Sequence, residues 1–179
     1  MSGLTTVARW IDRLNEWIGR GAAWLSLLIV LVTASNVLLR YLVRKTSVGF
    51  QELEWHLFGP LFMLTAAYTL MRDEHVRVDV FYSRWSPRRR ALVNLAGALL
   101  LLIPVCAVVG WTSLSFVAAS WAAGEGSPDP GGLPGRYVLK AIIPVSVGLL
   151  GLQGLSQALH SLQQWRDAPA SSAAGEGEA

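Results

Sequence analysis

The chain has 179 residues, of which 53% are hydrophobic and 15% are charged. This balance is unusual for a soluble domain of this length, and the apolar residues fall in four blocks with short connectors between them. The sequence therefore excludes a separate soluble domain large enough to bury its own core and hold a catalytic site. The net charge of +3 does not predict nucleic-acid binding, because the basic residues lie in connectors rather than on one soluble face.

Residues 1–20 are predicted to form an amphipathic helix on the membrane surface. Apolar side chains recur at helical spacing, while charged ones fall largely on other faces. Charges also interrupt the apolar region that a cleaved signal peptide would need, so the first span is expected to be an uncleaved anchor. The alternative is an ordinary helix packed against a neighbouring subunit. The apolar set is Val7, Trp10, Ile11, Leu14, Trp17 and Ile18, and the charged set is Arg9, Asp12, Arg13, Glu16 and Arg20.

Four transmembrane helices are predicted, at about 21–43, 52–71, 91–122 and 138–162. Each block reaches or exceeds the ~20 residues that cross ~30 Å of hydrocarbon. The third block is too long for a straight crossing, and Pro104 is expected to kink it. Ser86 before Pro87 is a suitable N-cap for that helix. The fold class is an all-α membrane protein, with an interfacial helix (1–20), a four-helix transmembrane domain (21–165) and a disordered tail (166–179).

Polar and small residues inside the spans mark candidate contacts. Asn36 and the glycines Gly148, Gly151 and Gly154 are candidate residues of a subunit interface, because amides seek partners in lipid and small residues permit close helix approach. Glu52 and Glu54 begin the second span, where carboxylates complement the helix dipole. Since ionisable residues near a membrane are often functional, an ion or proton site at Glu54 and His56 is the alternative.

Lys and Arg predict the orientation, because positive residues near span ends stay cytoplasmic. Ten lie in the N-terminal segment, the second connector and the C-terminal tail, against five on the other side. Both termini are therefore expected in the cytoplasm, with residues 44–51 and 123–137 outside. Five arginines of the second connector are expected to fix this topology and contact lipid phosphates. They are Arg77, Arg84, Arg88, Arg89 and Arg90.

No enzymatic or cofactor-binding motif is recognisable. The sequence has no phosphate-binding glycine loop, no dinucleotide-binding turn and no HExxH zinc motif. His75 and Asp79 alone make a poor metal site, and the three histidines lie at span ends or in a connector, where they could not hold haem between spans. We expect no catalytic residues, no metal and no cofactor.

Four stretches carry a family resemblance: residues 36–41 (NVLLRY), 51–59 (QELEWHLFG), 75–81 (HVRVDVF) and 124–134 (GEGSPDPGGLP). Together they resemble the small membrane subunit, the DctQ or Q component, of tripartite ATP-independent periplasmic (TRAP) transporters. The resemblance covers about residues 7–165 and is nearest to the branch associated with mannitol and chloroaromatic compounds. It places Glu52, Glu54, His75, Arg77 and Asp79 in family motifs with a structural role.

The resemblance implies a sodium-driven importer of organic acids or related solutes in the bacterial inner membrane. A periplasmic binding protein would deliver the substrate transiently, the large M subunit would carry it, and this chain would brace the M subunit. Two other hypotheses stay open from the residues alone. One is a self-sufficient oligomeric exporter that uses Glu52 or Glu54, and the other is a membrane anchor for electron transfer.

Overall fold

The computed structural model describes residues 2–44, 47–73, 82 and 85–168, and within these ranges the regular structure is entirely helical. Helix α1 spans Ser2–Leu38 and continues as a π-helical segment, Leu39–Val43. Helix α2 spans Val48–Met71. Helix α3 comprises Pro87–Gly97, a π-helical segment Ala98–Leu102, and Ile103–Ala122. Helix α4 spans Arg136–Asp167.

Successive helices are antiparallel, as close contacts along their lengths show. The amide of Asn36 in α1 bonds Glu54 in α2, whereas Gly19 lies against Tyr68 near the other end of α2. In the second pair, Gly151 and Gly154 of α4 lie against Cys106 and Leu102 of α3. The bundle therefore has a loop end, with residues 123–135 and the start of α2, and a terminal end, where α1 and α3 begin and α2 and α4 stop.

The inward face of α1 follows a heptad spacing over most of its length. Ala8, Asn15, Ala22 and Asn36 are buried, and all four fall on one seven-residue repeat with Ile29. A 3.5-residue period is the pattern of helices that pack along a shared seam. The two asparagines lie towards opposite ends of that seam and bond Gln153 of α4 and Glu54 of α2. Polar residues at such positions fix the register of neighbouring helices.

The structure differs from the sequence prediction at the N-terminus. Residues 1–20 and 21–43 were predicted as two elements, but the structure has one helix from Ser2 to Leu38. The apolar side chains predicted to share one membrane-facing surface also point in different directions. Ile11 is buried in the bundle, while Trp10 and Trp17 are 68% and 78% exposed. The residues between Arg9 and Arg20 therefore contribute to the bundle as well as to its surface.

Within the described residues, three helical stretches are long and apolar enough to cross a membrane: Thr5–Val43, Pro87–Ala122 and Arg136–Asp167. They contain three of the four predicted spans. The second predicted span is helical, but the first turns of α2 carry Glu52, Glu54 and His56, which lower its overall hydropathy. Helix α4 ends at Asp167, so the predicted tail from residue 166 begins inside a helix; residues 169–179 lie outside the described ranges.

A π-helical turn accommodates Pro104 inside α3. The proline ring would clash with the carbonyl of Leu100, four residues earlier, in a regular α-helix. The segment Ala98–Leu102 widens the turn, and the amide of Ile103 bonds the carbonyl of Ala98, five residues back. The helix thus continues through the proline by local widening. At its start, the Ser86 hydroxyl accepts a hydrogen bond from the Arg89 amide, which confirms the predicted N-cap.

Candidate functional site

At the loop end, one buried carboxylate holds the 123–135 loop against α2. Glu52 is 5% exposed and accepts hydrogen bonds from the Ser127 hydroxyl at 2.5 Å, the Leu133 amide at 2.5 Å and the Arg136 guanidinium at 3.1 Å. The three donors lie more than 70 residues away in sequence. A charged acceptor with several donors makes strong hydrogen bonds, so Glu52 fixes where the loop sits.

The loop also holds its own shape. The Ser127 amide bonds the Leu133 carbonyl, and the Arg136 amide bonds the Glu125 carbonyl. Gly132 lies so close to Glu52 that a Cβ there would come within 2.7 Å of its Oε2 atom. Gly135, with a φ of 78°, immediately precedes α4 in the left-handed region that favours glycine. The glycines of this loop thus allow the close approach that the Glu52 contacts require.

A second ion pair links the loop to the first turns of α4. Glu125 accepts hydrogen bonds from the Lys140 ammonium and from the Ser120 hydroxyl. These two donors hold the pKa of the Glu125 carboxyl below its ordinary value of 4.5. Because the folded protein then keeps this group ionised to lower pH than the unfolded chain does, the contribution to stability is present above that ordinary value. It is lost as the pH falls through the lowered folded pKa.

Replacing Lys140 by Met should therefore weaken the acid sensitivity of the fold. We expect the thermal midpoint of the wild type to drop between about pH 7 and about pH 4, and the drop to be smaller in Lys140→Met because Glu125 has lost its main partner. Thermal unfolding in detergent, followed by tryptophan fluorescence at both pH values, measures this difference. An identical drop in both proteins would contradict the role of the pair.

The two acidic residues at the start of α2 have separate partners. Glu54 accepts a hydrogen bond from the Asn36 amide at 3.0 Å, whereas Glu52 faces the loop. Both carboxylates are thus engaged within the chain, and neither lines the cavity at the opposite end of the bundle. This arrangement lends no support to an ion pathway through Glu52 and Glu54.

At the terminal end, a polar cluster joins α1 to α4. The Asp12 carboxylate accepts hydrogen bonds from the Gln153 amide at 2.9 Å, the Ser156 hydroxyl at 2.7 Å and the His160 ring at 3.0 Å. Asn15, 1% exposed, donates to Gln153 at 2.7 Å. Buried polar groups cost free energy unless they are hydrogen-bonded, so this cluster specifies how the N-terminal half of α1 docks on α4.

Removing the Asp12 carboxylate should destabilise the bundle strongly. In Asp12→Ala three donors lose their acceptor, and we expect a loss of about 2 kcal/mol, seen as a fall of roughly 5 °C in the thermal midpoint. Glu16→Ala is the matched control, since Glu16 is one turn away and, in the part of the chain that the structure describes, pairs at the surface with Arg20 at 2.8 Å. Its midpoint should move by less than about 2 °C; equal shifts would contradict a specific role for Asp12.

The sequence did not single out Asp12 or His160. A usable signal was present in α4, where Gln153, Ser156 and His160 recur every three or four residues and so share one face of the helix. Such a stripe predicts a polar partner on one face. Asp12, in contrast, stands among surface charges and nothing in its local pattern distinguishes it from them.

The candidate subunit-interface residues make mostly internal contacts. Asn36 is buried against Glu54, and a Cβ on Gly154 would come within 2.8 Å of the Leu102 side chain. Gly151 lies beside Cys106, while Gly148 has open space around its Cα. Close approach of helices at Gly151 and Gly154 therefore occurs inside the chain, and these contacts do not identify a face for a partner subunit.

Three of the five arginines in the predicted basic cluster, Arg88, Arg89 and Arg90, lie within the described residues. The Arg88 guanidinium lies 5.0 Å from the centre of the Trp165 ring, and that of Arg90 lies 5.4 Å from the centre of the Tyr82 ring. Arg90 also donates to the Trp85 carbonyl at 2.9 Å. Both arginines begin α3 at the terminal end. His75, Arg77, Asp79 and Arg84 lie outside the described residues.

Among the described residues no group of three potential metal-ligating side chains occurs.

A large half-open cavity of about 700 Å³ lies at the terminal end. All four helices contribute to its walls. Its lining includes Asp12 of α1, Met71 of α2, Arg90 and Asn94 of α3, and Gln157 and His160 of α4. The cavity has both polar and apolar walls, and its described lining residues hold no constellation of nucleophile, base and oxyanion donors.

Comparison with known proteins gives one family. The sequence profile described as "Tripartite ATP-independent periplasmic transporters, DctQ component" matches residues 29–164, well over half of the chain. No curated protein matches the chain.

Proposed function

Since the chain belongs to the DctQ component family of TRAP transporters, we propose that it braces the large M subunit for sodium-driven uptake of an organic acid or related solute. A periplasmic binding protein would deliver that solute. The DctQ family supplies the small permease component of these tripartite systems and is generally non-enzymatic. The supporting observation is that the polar side chains bond one another at the two ends of the bundle, while the outer flanks of α1 and α3 expose apolar side chains.

Those flanks suit lipid and a larger protein partner. Val30 and Leu31 on α1, and Leu100, Val108 and Trp111 on α3, are each more than half exposed. Apolar side chains at this density are stable only when lipid or protein covers them. A subunit that moved solute alone would need a polar path between its helices, and the described polar contacts join helices at their ends instead.

We propose four membrane crossings, with α2 as the second. Glu52 at its start bonds the loop end, and Tyr68 near its end packs on Gly19 of α1. Helix α2 thus runs between the same two ends as the other helices. Its 24 residues give a length of ~36 Å, which exceeds the ~30 Å of the hydrocarbon layer.

We also propose that both termini face the cytoplasm, with the arginines that begin α3 retained there. Replacing Arg88, Arg89 and Arg90 together by Gln should reduce the fidelity of insertion, because it leaves seven basic residues inside against five outside. Reporter fusions at the C-terminus measure the fraction of chains in each orientation. An unchanged topology would count against this role.

The first turns of α1 are proposed to lie along the cytoplasmic membrane surface. Helix α1 is continuous from Ser2 to Leu38, and its N-terminal part presents Trp10 and Trp17 away from the bundle, 68% and 78% exposed. Exposed Trp10 and Trp17 would then reach the interfacial zone, where tryptophan is favoured, with Arg9 and Arg13 towards lipid phosphates.

Co-expression with a large M-type permease tests the proposed function. We expect the two chains to purify as a stable complex and to take up solute only with the binding protein and a sodium gradient. Liposomes that contain this chain alone are the control and should be inactive. Transport by the chain alone, or failure to form any complex with the permease, would overturn the proposal.

A further inference from the structure

The connection between α3 and α4 is longer than the two helices need. It comprises residues 123–135, because α3 ends at Ala122 and α4 begins at Arg136. Helices in bundles are usually joined by about 2–8 residues, and connections much longer than that are often functional. The outer part of this loop, residues 128–131 (Pro-Asp-Pro-Gly), is exposed, whereas residues 125–127 and 132–133 at its base are only partly exposed. We call residues 128–131 the loop tip.

The loop tip has a defined conformation. The Gly132 amide bonds the Asp129 carbonyl at 3.0 Å and closes a four-residue turn. Pro130 occupies the second position of this turn and Gly131, with a φ of 82°, the third, which is the residue preference of a type II turn. The Ser127 hydroxyl accepts a further hydrogen bond from the Asp129 amide at 3.1 Å. Since the base of the loop is also held on α2, the tip is ordered before a partner binds, and the entropy cost of binding is reduced.

The loop tip also carries a carboxylate that the fold does not use. Glu52, Glu54 and Glu125, the other acidic residues described at the loop end, each accept hydrogen bonds within the chain. The Asp129 carboxylate is exposed and, in the part of the chain that the structure describes, has no hydrogen-bond or ion-pair partner. The turn uses only the backbone of Asp129, so its shape does not depend on the charge. This negative charge is therefore available to a cation on another molecule.

The loop tip lies in water rather than in lipid. Helix α4 has 32 residues and is ~48 Å long, well above the ~30 Å of hydrocarbon. Arg136 and Lys140 in its first turns place that end of the helix at the edge of the hydrocarbon layer, because charges inside the layer are costly. The loop extends beyond this edge, and the negative surface of a membrane repels a carboxylate. A partner for the tip is therefore a protein in the aqueous compartment at this end.

We propose that the loop tip is a docking point for the solute-loaded periplasmic binding protein, which contacts Asp129 through a basic patch. This inference rests on the proposed function, which places the loop end outside the cytoplasm. Permanent subunit interfaces are large and apolar, whereas transient ones are smaller. A four-residue tip with one carboxylate suits a partner that binds and leaves, while the apolar flanks of α1 and α3 suit the permanent M subunit. Because complementary charges mainly accelerate association, the tip steers the binding protein onto the transporter.

Binding of the purified binding protein to the complex of this chain with the M subunit, held in nanodiscs, tests the proposal. Asp129→Lys should weaken this binding about tenfold, mostly through slower association, because it places like charges together. Asp129→Asn should weaken it less, and should make it less sensitive to salt between about 0.05 M and about 0.5 M. Asp167→Lys is the matched control, since it reverses an exposed carboxylate at the opposite end of the bundle. Its binding should equal that of the wild type.

All three variants should co-purify with the M subunit, and protease should cleave their loops at the wild-type rate. Wild-type binding by both Asp129 variants, or an equal loss in Asp129→Lys and Asp167→Lys, would overturn the docking proposal and leave the proposed function intact. Loss of the M subunit from Asp129→Lys would also overturn it, because the tip would then be a contact with that subunit. If the wild-type chain forms no complex with the permease, the proposed function fails, and the docking proposal fails with it.

Discussion

Replacing Gly19 by Leu should lower the thermal midpoint of the protein by about 10 °C. Even a bare Cβ at residue 19 would lie 2.5 Å from Cβ and 2.6 Å from Cγ of Tyr68. These are atoms near the backbone of α2 that cannot swing away. Helices α1 and α2 must therefore separate, which costs about 3 kcal/mol for a well-packed contact.

Gly21→Leu is the control for this substitution. A Cβ at residue 21 meets no atom within 4 Å, and leucine favours a helix over glycine by somewhat less than 1 kcal/mol. The midpoint of Gly21→Leu should therefore stay unchanged or rise. Thermal unfolding of both variants in one detergent makes the comparison. If the two substitutions had the same effect, the close packing of α1 on α2 at Gly19 would be contradicted.

Replacing Glu52 by Gln should release the 123–135 loop from α2. Glu52 is the shared acceptor for Ser127, Leu133 and Arg136. A neutral amide cannot pair with the Arg136 charge, and its NH₂ group would face a donor. We expect limited proteolysis within residues 123–135 to become at least about tenfold faster, because the loop opens locally more often. The thermal midpoint should also fall.

The control lies two residues away on the same helix. Glu54→Gln makes the same chemical change, but the amide oxygen can still accept the Asn36 hydrogen bond. Among the described residues, the loop donors Ser127, Leu133 and Arg136 bond Glu52 and not Glu54. Its loop should be cleaved at the wild-type rate. If proteolysis accelerated equally in both variants, the loss of one negative charge would explain the result and the specific role of Glu52 would be refuted.

Several features follow from the sequence because they depend on neighbouring residues. Long apolar blocks predicted the helices that contain three of the spans, and Ser86 before Pro87 predicted the start of α3. The family resemblance, carried by motifs such as residues 124–134, is confirmed by the match of residues 29–164 to the DctQ component. Hydropathy, helix caps and sequence motifs each depend on a short stretch of chain. They can therefore be recognised without knowing how the helices pack together.

Other features depended on which helix faces meet. Asp12 lies among surface charges in the sequence, yet in the folded chain it bonds His160, 148 residues away. Gly151 and Gly154 have the spacing of a subunit contact but serve packing of α4 on α3. The sequence thus determined that the chain forms apolar helices of the DctQ family. Only the tertiary structure decided which polar groups pair, because pairing depends on the relative rotation and register of helices distant in sequence.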